Sequence, residues 1–253
     1  MRDYEISKKE WVLDGASVSY GFAFELKGAL SHDIQRERDF KYTGMDMSEI
    51  VKHIAQFTSD IWQIHPFCEG NTRTTAVFII KYLRSLGFDV NNTTFEKNSW
   101  YFRNALVRAN YQNLQKGIYK ETIHLERFFR NLLMGEDNVL MNRHIHIKAK
   151  ELLEGATPAS TPTSTPTSTP TSIFPESENI KRLISAIAEK QLSVKEMMAA
   201  VGLKDRPNFI EYSLSPAMQK GYVRMLYPDS PRHPRQKYLL TVKGLAAYKE
   251  LSR

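Results

Sequence analysis

The chain has little cysteine, no long apolar run, and no charge excess over its first half. Cys68 is the one cysteine among 253 residues. That excludes an intramolecular disulfide framework and points to a reducing compartment. No uninterrupted hydrophobic stretch approaches the roughly 18–20 residues that a helical membrane span needs. Met1-Arg2-Asp3-Tyr4-Glu5 opens no apolar secretory core. A soluble, cytoplasmic protein without a membrane partner is the expectation. Residues 1–154 carry 21 Lys+Arg against 20 Asp+Glu, whereas residues 155–253 carry 14 against 8. The net charge of +7 therefore belongs to the tail, and any surface for a polyanion is expected there.

What is present is ordinary globular material, 42% hydrophobic and 25% charged, enough for one large domain or two small ones. The two halves meet at Gly155-Ala156-Thr157-Pro158-Ala159-Ser160 and the Thr-Pro-Thr-Ser repeat that follows to Ser172. Proline at every fourth position removes backbone donors and fixes φ, and threonine and serine bury too little to offset ordering entropy. This composition predicts an extended linker over residues 155–175, between a domain at 1–154 and a second at 176–253.

In the first domain, Tyr4 to Leu13 has apolar ends around a Ser-Lys-Lys-Glu centre, closed by Asp14-Gly15, a pattern that suits a small β hairpin. Val18 to Leu30 fits a strand or a helix, and Ser31 to Thr43 reads as a polar loop. Ile50, Ile54, Phe57, Ile61 and Trp62 then form a stripe of helical period behind a cap at Asp46 or Ser48. Further helices are expected over Asn71–Leu86, Glu96–Leu114 and Thr122–Met134. The domain is predicted to be mainly α.

The chemistry concentrates in His65-Pro66-Phe67-Cys68-Glu69-Gly70-Asn71-Thr72-Arg73. A helix beginning at Asn71 presents unpaired amides and the positive end of its dipole, so Gly70, Asn71 and Thr72 can hold an anion by backbone alone. Arg73 adds a charge-assisted grip on phosphate. Glu69 beside a phosphate implies a divalent cation between them, and Mg²⁺ is commonly held by one or two carboxylates plus substrate phosphates. His65 can take a proton from a hydroxyl near neutral pH. These parts describe phosphoryl or nucleotidyl transfer to a hydroxyl. The residues alone leave a second account open, in which His65 ends a helix before proline and Arg73 is a surface cation.

The nine-residue stretch closely resembles the signature loop of the Fic (Fic/Doc) family, and the resemblance extends over most of residues 4–134. It implies a Fic-type helical bundle that moves AMP from ATP to a Ser, Thr or Tyr hydroxyl of a target protein, itself included. By position, the resemblance makes His65 the base and Glu69 the Mg²⁺ ligand, and assigns Gly70, Asn71, Thr72 and Arg73 to ATP. It adds Phe102 and Asn110 as adenosine contacts. Tyr4–Leu13 would be the flap that docks the target by strand addition. Three departures stand out: Ala76 where many members have a second arginine, Thr72 in place of a common glycine, and a start at the flap where relatives have preceding helices. The inhibitory pattern Ser/Thr-x-x-x-Glu-Gly/Asn is not met, since His65, Lys150 and Phe174 stand four residues before Glu69-Gly70, Glu154-Gly155 and Glu178-Asn179.

In the tail, helices over Ile180–Lys190, Val194–Ala200 and Asn208–Lys220 precede strands at Gly221–Tyr227 and Gln236–Thr241. That order resembles a winged helix, with Ser213 to Gln219 on the recognition helix and Arg232, His233, Arg235 and Lys237 on the wing. Its expected partner is DNA or a protein. Two alternative functions follow: a winged-helix DNA-binding regulator whose first domain senses nucleotide or is inactive, and transfer of phosphate in place of AMP.

Overall fold

The computed structural model describes residues 1–149 and 174–252. The linker prediction falls almost entirely on residues outside them. Two compact units are formed. The first comprises Met1–Phe40, Val51–Ile79 and the described residues from Asn91 to Ala149; the second comprises Lys41–Ile50, Ile80–Val90 and the described residues from Phe174 onward. No helix among the described residues is long and apolar enough to cross a membrane.

The chain is mainly α. The first run is α1 (Leu26–Asp39), α2 (Met47–Ile64), α3 (Asn71–Ser85), α4 (Thr93–Lys97), α5 (Ser99–Ala109) and α6 (Ile123–Met134). Helix α2 buries Ile50, Ile54, Phe57, Ile61 and Trp62, the stripe its spacing predicts. Phe95, Phe102, Phe128 and Phe129 pack edge to face or tilted, with ring centres 4.9–6.4 Å apart, and make the aromatic core under α4, α5 and α6. Helix α1 runs through what reads as a polar loop. It buries little, and polar partners hold it instead: Arg36 reaches Asp60 at 2.7 Å and Glu37 reaches His53 at 2.7 Å.

The hairpin expected over Tyr4–Leu13 does not form. Trp11–Leu13 is a 3-10 turn, and the nearest antiparallel pairing is one bridge between Lys9 and Ser17. The reason lies at Glu10, which the hairpin would leave at a polar edge. It is buried and held by both Arg103 amino groups, at 2.7 and 2.8 Å. This ion pair turns the chain inward, and Val12 and Leu13 follow it into the core.

The tail contains α7 (Glu178–Ile187), α8 (Val194–Val201) and α9 (Arg206–Phe209), then a π turn at Ile210–Leu214 and α10 (Ser215–Gln219). The expected third helix thus runs on from Arg206 to Gln219, with a π segment ahead of Pro216 and no interruption at the proline. Strands β1 (Val223–Met225) and β2 (Tyr238–Leu240) pair antiparallel with Arg224 opposite Leu239, and α11 (Val242–Leu251), absent from the sequence reading, closes the unit. A capping box of Ser193 and Glu196 starts α8. The second unit includes the end of α3. There Gly87 and Gly221 lie back to back at φ +95° and +76°, where an added Cβ would come within 2.2 Å and 2.1 Å of the facing carbonyl oxygen. Only glycine permits that approach. The Lys243 amide donates to the Leu86 carbonyl at 3.1 Å beside it.

Candidate functional site

Helix α2 ends at Ile64, and His65 turns the chain in the left-handed region at φ +53°. A side chain with a Cβ is strained there. The turn is held by Arg2, itself buried. Arg2 Nε donates to the His65 carbonyl at 2.8 Å, its amide donates to the Pro66 carbonyl at 2.8 Å, and its guanidinium also meets the carbonyls of Tyr4 and Gly21. Nothing in the sequence pattern singles out Arg2, because a basic residue near a chain start carries no periodic signal.

The His65 ring is 4% exposed. Tyr20 stacks on it at 3.9 Å between ring centres, and Trp62 meets it edge-on at 5.3 Å. Neither ring nitrogen has a hydrogen-bond partner, nor does the Tyr20 hydroxyl. Burial pushes the His65 pKa down to about 4, and the charge of Lys8 adds to the shift. The imidazole is therefore neutral at physiological pH, with its acceptor unused. Burial and the nearby Glu10 charge push the Tyr20 phenol up to about 12, so it stays a neutral hydroxyl.

Beyond His65 the chain loops back to α3. Asn71, predicted as an anion contact, uses its side chain to staple that loop: Oδ1 accepts from the Phe67 amide at 3.0 Å and Nδ2 donates to the Phe67 carbonyl at 2.7 Å. Only its backbone is left for a ligand. Thr72 is likewise engaged, accepting from Trp62 Nε1 at 3.0 Å. Gly70 sits at φ +75°, a conformation suited to glycine at a helix entry. Arg73 is exposed one turn in.

These residues enclose a pocket of about 190 Å³ lined by Lys8, Trp62, His65, Gly70, Asn71, Thr72, Arg73 and Arg103. The structure thus brings together five of the predicted positions and adds three unpredicted ones. Lys8 and Arg103 bring two further cations where Ala76 supplies none. Arg103 was legible only as a helix residue, since its approach depends on the Glu10 ion pair.

Two assignments need correction. Phe102 is 1% exposed within the aromatic core and offers no face to a nucleoside. Asn110 is buried, and its Nδ2 donates to Ser59 Oγ at 2.9 Å and to the Leu106 carbonyl at 3.0 Å, which ties α5 to α2. Both lie outside the pocket lining. Glu69 is exposed and does not line the pocket either. Among the described residues no three His, Cys, Asp or Glu side chains cluster to hold a metal. A single carboxylate fits Mg²⁺ only where phosphate oxygens complete the shell.

A neutral buried imidazole and a helix N-terminus thus meet Lys8, Arg73 and the Glu10-paired Arg103 around one small pocket. A sequence model of the Fic/DOC family matches residues 14–83, and one described as Filamentation induced by cAMP protein Fic-like, C-terminal domain, matches residues 178–241. Together they span more than half of the chain, which belongs to the Fic family. Among solved structures, a Fic family protein from Desulfovibrio desulfuricans is 18% identical with a TM-score of 0.34, over 95% of this chain and 62% of that one. This chain thus spans less than two thirds of that protein, and the assignment to the family rests on the two sequence models. No curated protein matches the chain.

Proposed function

We propose that the protein moves AMP from ATP to a Ser, Thr or Tyr hydroxyl of a target protein, or of itself, with His65 as the proton acceptor. The observation that carries this reading is the buried His65 imidazole, neutral and with both nitrogens unpartnered, facing a pocket of amides and cations. Fic family proteins are generally transferases, which agrees with it. The attacking hydroxyl oxygen bonds to the α-phosphorus while its proton passes to the imidazole. The bond from α-phosphorus to the bridging oxygen breaks, and pyrophosphate leaves.

An imidazole with a pKa near 4 is available at pH 7 but weakly basic. A triphosphate beside it would raise its basicity, since a nearby negative charge favours the protonated ring. The donor would thus help to ready the base. Arg73, Lys8 and the first amides of α3 would carry the phosphate charge. A cavity of about 190 Å³ is smaller than the roughly 300–1,000 Å³ of sites that enclose a whole ligand. It suits the phosphate chain and leaves the nucleoside outside. Glu69 would hold Mg²⁺ together with the phosphates, and the ion would neutralise charge there. The target would lie along residues 4–9, which are mostly exposed and include the pocket residue Lys8.

Incubation with ATP labelled at the α- or the γ-phosphate tests the reading. Transfer of α-label to protein, lost in His65→Ala, is the expected result. Transfer of γ-label alone would assign phosphate transfer, and duplex binding by the tail with no nucleotide bound at the pocket would favour the regulator.

A further inference from the structure

A second concavity lies wholly within the tail unit and owes nothing to the transfer reaction. It has a volume of about 840 Å³ and runs between α8 with the turn after it on one side and the loop between β1 and β2 on the other. Four cations line it: Lys195, Lys204, Arg206 and Arg232. All four are exposed, and none makes an ion pair with another described residue. No carboxylate lines the groove. The nearby Glu196 and Asp205 accept from backbone amides at the starts of α8 and α9.

Part of the lining is apolar: Met198, Ala199, Pro231 and Pro234 contribute to it, and Leu203 is 44% exposed there. The loop wall is braced: Gln236 bonds both the amide and the carbonyl of Tyr227, at 3.0 and 2.8 Å, and the Tyr227 and His233 rings pack at 4.1 Å. The groove is therefore preformed and asks little ordering of its own wall on binding.

Charge complementarity and shape choose the occupant. A duplex reader would need several cations along the third helix, yet from Arg206 to Gln219 it carries Arg206 alone, at its first position, and presents Glu211 at the surface. Single-stranded nucleic acid is usually held by a row of exposed aromatic faces, whereas of the two rings lining this groove Tyr238 is buried and His233 is half-buried and packed on Tyr227. Cations among apolar lining residues match instead a peptide in which Asp or Glu alternates with Leu or Ile. We propose that this groove docks an acidic, leucine-bearing segment of a partner protein.

The test uses the full chain and fluorescence anisotropy. The probes are a labelled peptide of alternating Glu and Leu, its Lys-Leu counterpart, and a labelled DNA duplex. The Glu-Leu peptide is expected to bind in preference to both others. Charge reversal by Lys204→Glu with Arg206→Glu should weaken it about tenfold or more. Leu203→Asp should weaken it as well, which binding by charge alone would not. A pair of Ala substitutions at Lys204 and Arg206, milder for folding, should give a smaller loss in the same direction. Peptide binding indifferent to these changes would overturn the proposal. So would a duplex that displaces the peptide and depends on the same cations, which would assign the groove to nucleic acid.

Discussion

The two concavities use positive charge in opposite ways. In the pocket at the start of α3, Arg103 is spent on Glu10, Arg2 is buried behind the His65 turn, and the ring they surround is sealed from water. In the tail groove the cations are exposed, make no ion pair with another described residue, and stand among apolar lining residues. Burial of the His65 ring at the first site shifts its titration, as chemistry requires. Openness leaves the second with ordinary side chains and a larger contact area, as recognition requires. The fixed side chains of one site should therefore be intolerant of change in both stability and turnover, and those of the other in binding alone.

The largest effect that would break this contrast is on turnover. His65→Ala is expected to lower α-label transfer by about 10²–10⁴-fold, the usual contribution of a positioned general base, with nucleotide binding kept within a few-fold. Arg206→Ala should leave transfer to a small peptide substrate unchanged. Equal losses in the two variants would erase the distinction between the sites.

Stability supplies the next test. Arg2→Ala leaves the buried His65 carbonyl without its donor and the part-buried carbonyls of Tyr4 and Gly21 to water, and the loss should be about 1–3 kcal/mol. It also releases the strained His65 turn, so turnover should fall with stability. Arg206→Ala, at an exposed site, should stay within about 0.5 kcal/mol. Urea midpoints of the two variants measure both.

Acid should act on the enclosed side. His65 and His124 are both held down to about 4 by burial, against about 6.5 when unfolded. Between those values the unfolded chain binds more protons, so stability is full above pH 6.5 and falls as pH drops toward 4. Each ring contributes up to roughly 3 kcal/mol over the window. A His65→Gln variant should flatten the fall in denaturant midpoint, and His65→Gln with His124→Gln should flatten it further. A slope unchanged in both would place neither imidazole in a dry setting.

Much of this was readable from residues. The α2 stripe, the start of α3 at Asn71 and the loop from His65 to Arg73 carry period, cap and motif, and these are local properties. What could not be read depends on distant partners. Glu10 looked like the polar edge of a hairpin until Arg103, ninety-three positions on, drew it inward. Phe102 and Asn110 sit on a helix of the right kind, but the direction each faces is set by Phe128 and Ser59. Arg2 shows no pattern at all, since its worth lies in three carbonyls that only the folded chain brings to it. The groove cations were visible as an excess of charge, but the π turn at Ile210–Leu214 was not.

Lys8 gives the finest test because it lies between the two kinds of site, exposed like the groove cations yet lining the enclosed pocket. If it acts as a groove cation does, Lys8→Ala should only raise the KM for ATP, by about two- to fivefold for a partly solvated contact. If it acts as part of the enclosure, the same change should also move the acid limb of the pH profile of kcat/KM upward. Its positive charge is, after burial, the main cause holding the His65 pKa down. Lys8→Gln should repeat the shift and Lys8→Arg should not. The combined result is expected, a modest rise in KM together with an upward move of the acid limb, because the charge of an exposed ammonium still acts on the buried ring beside it.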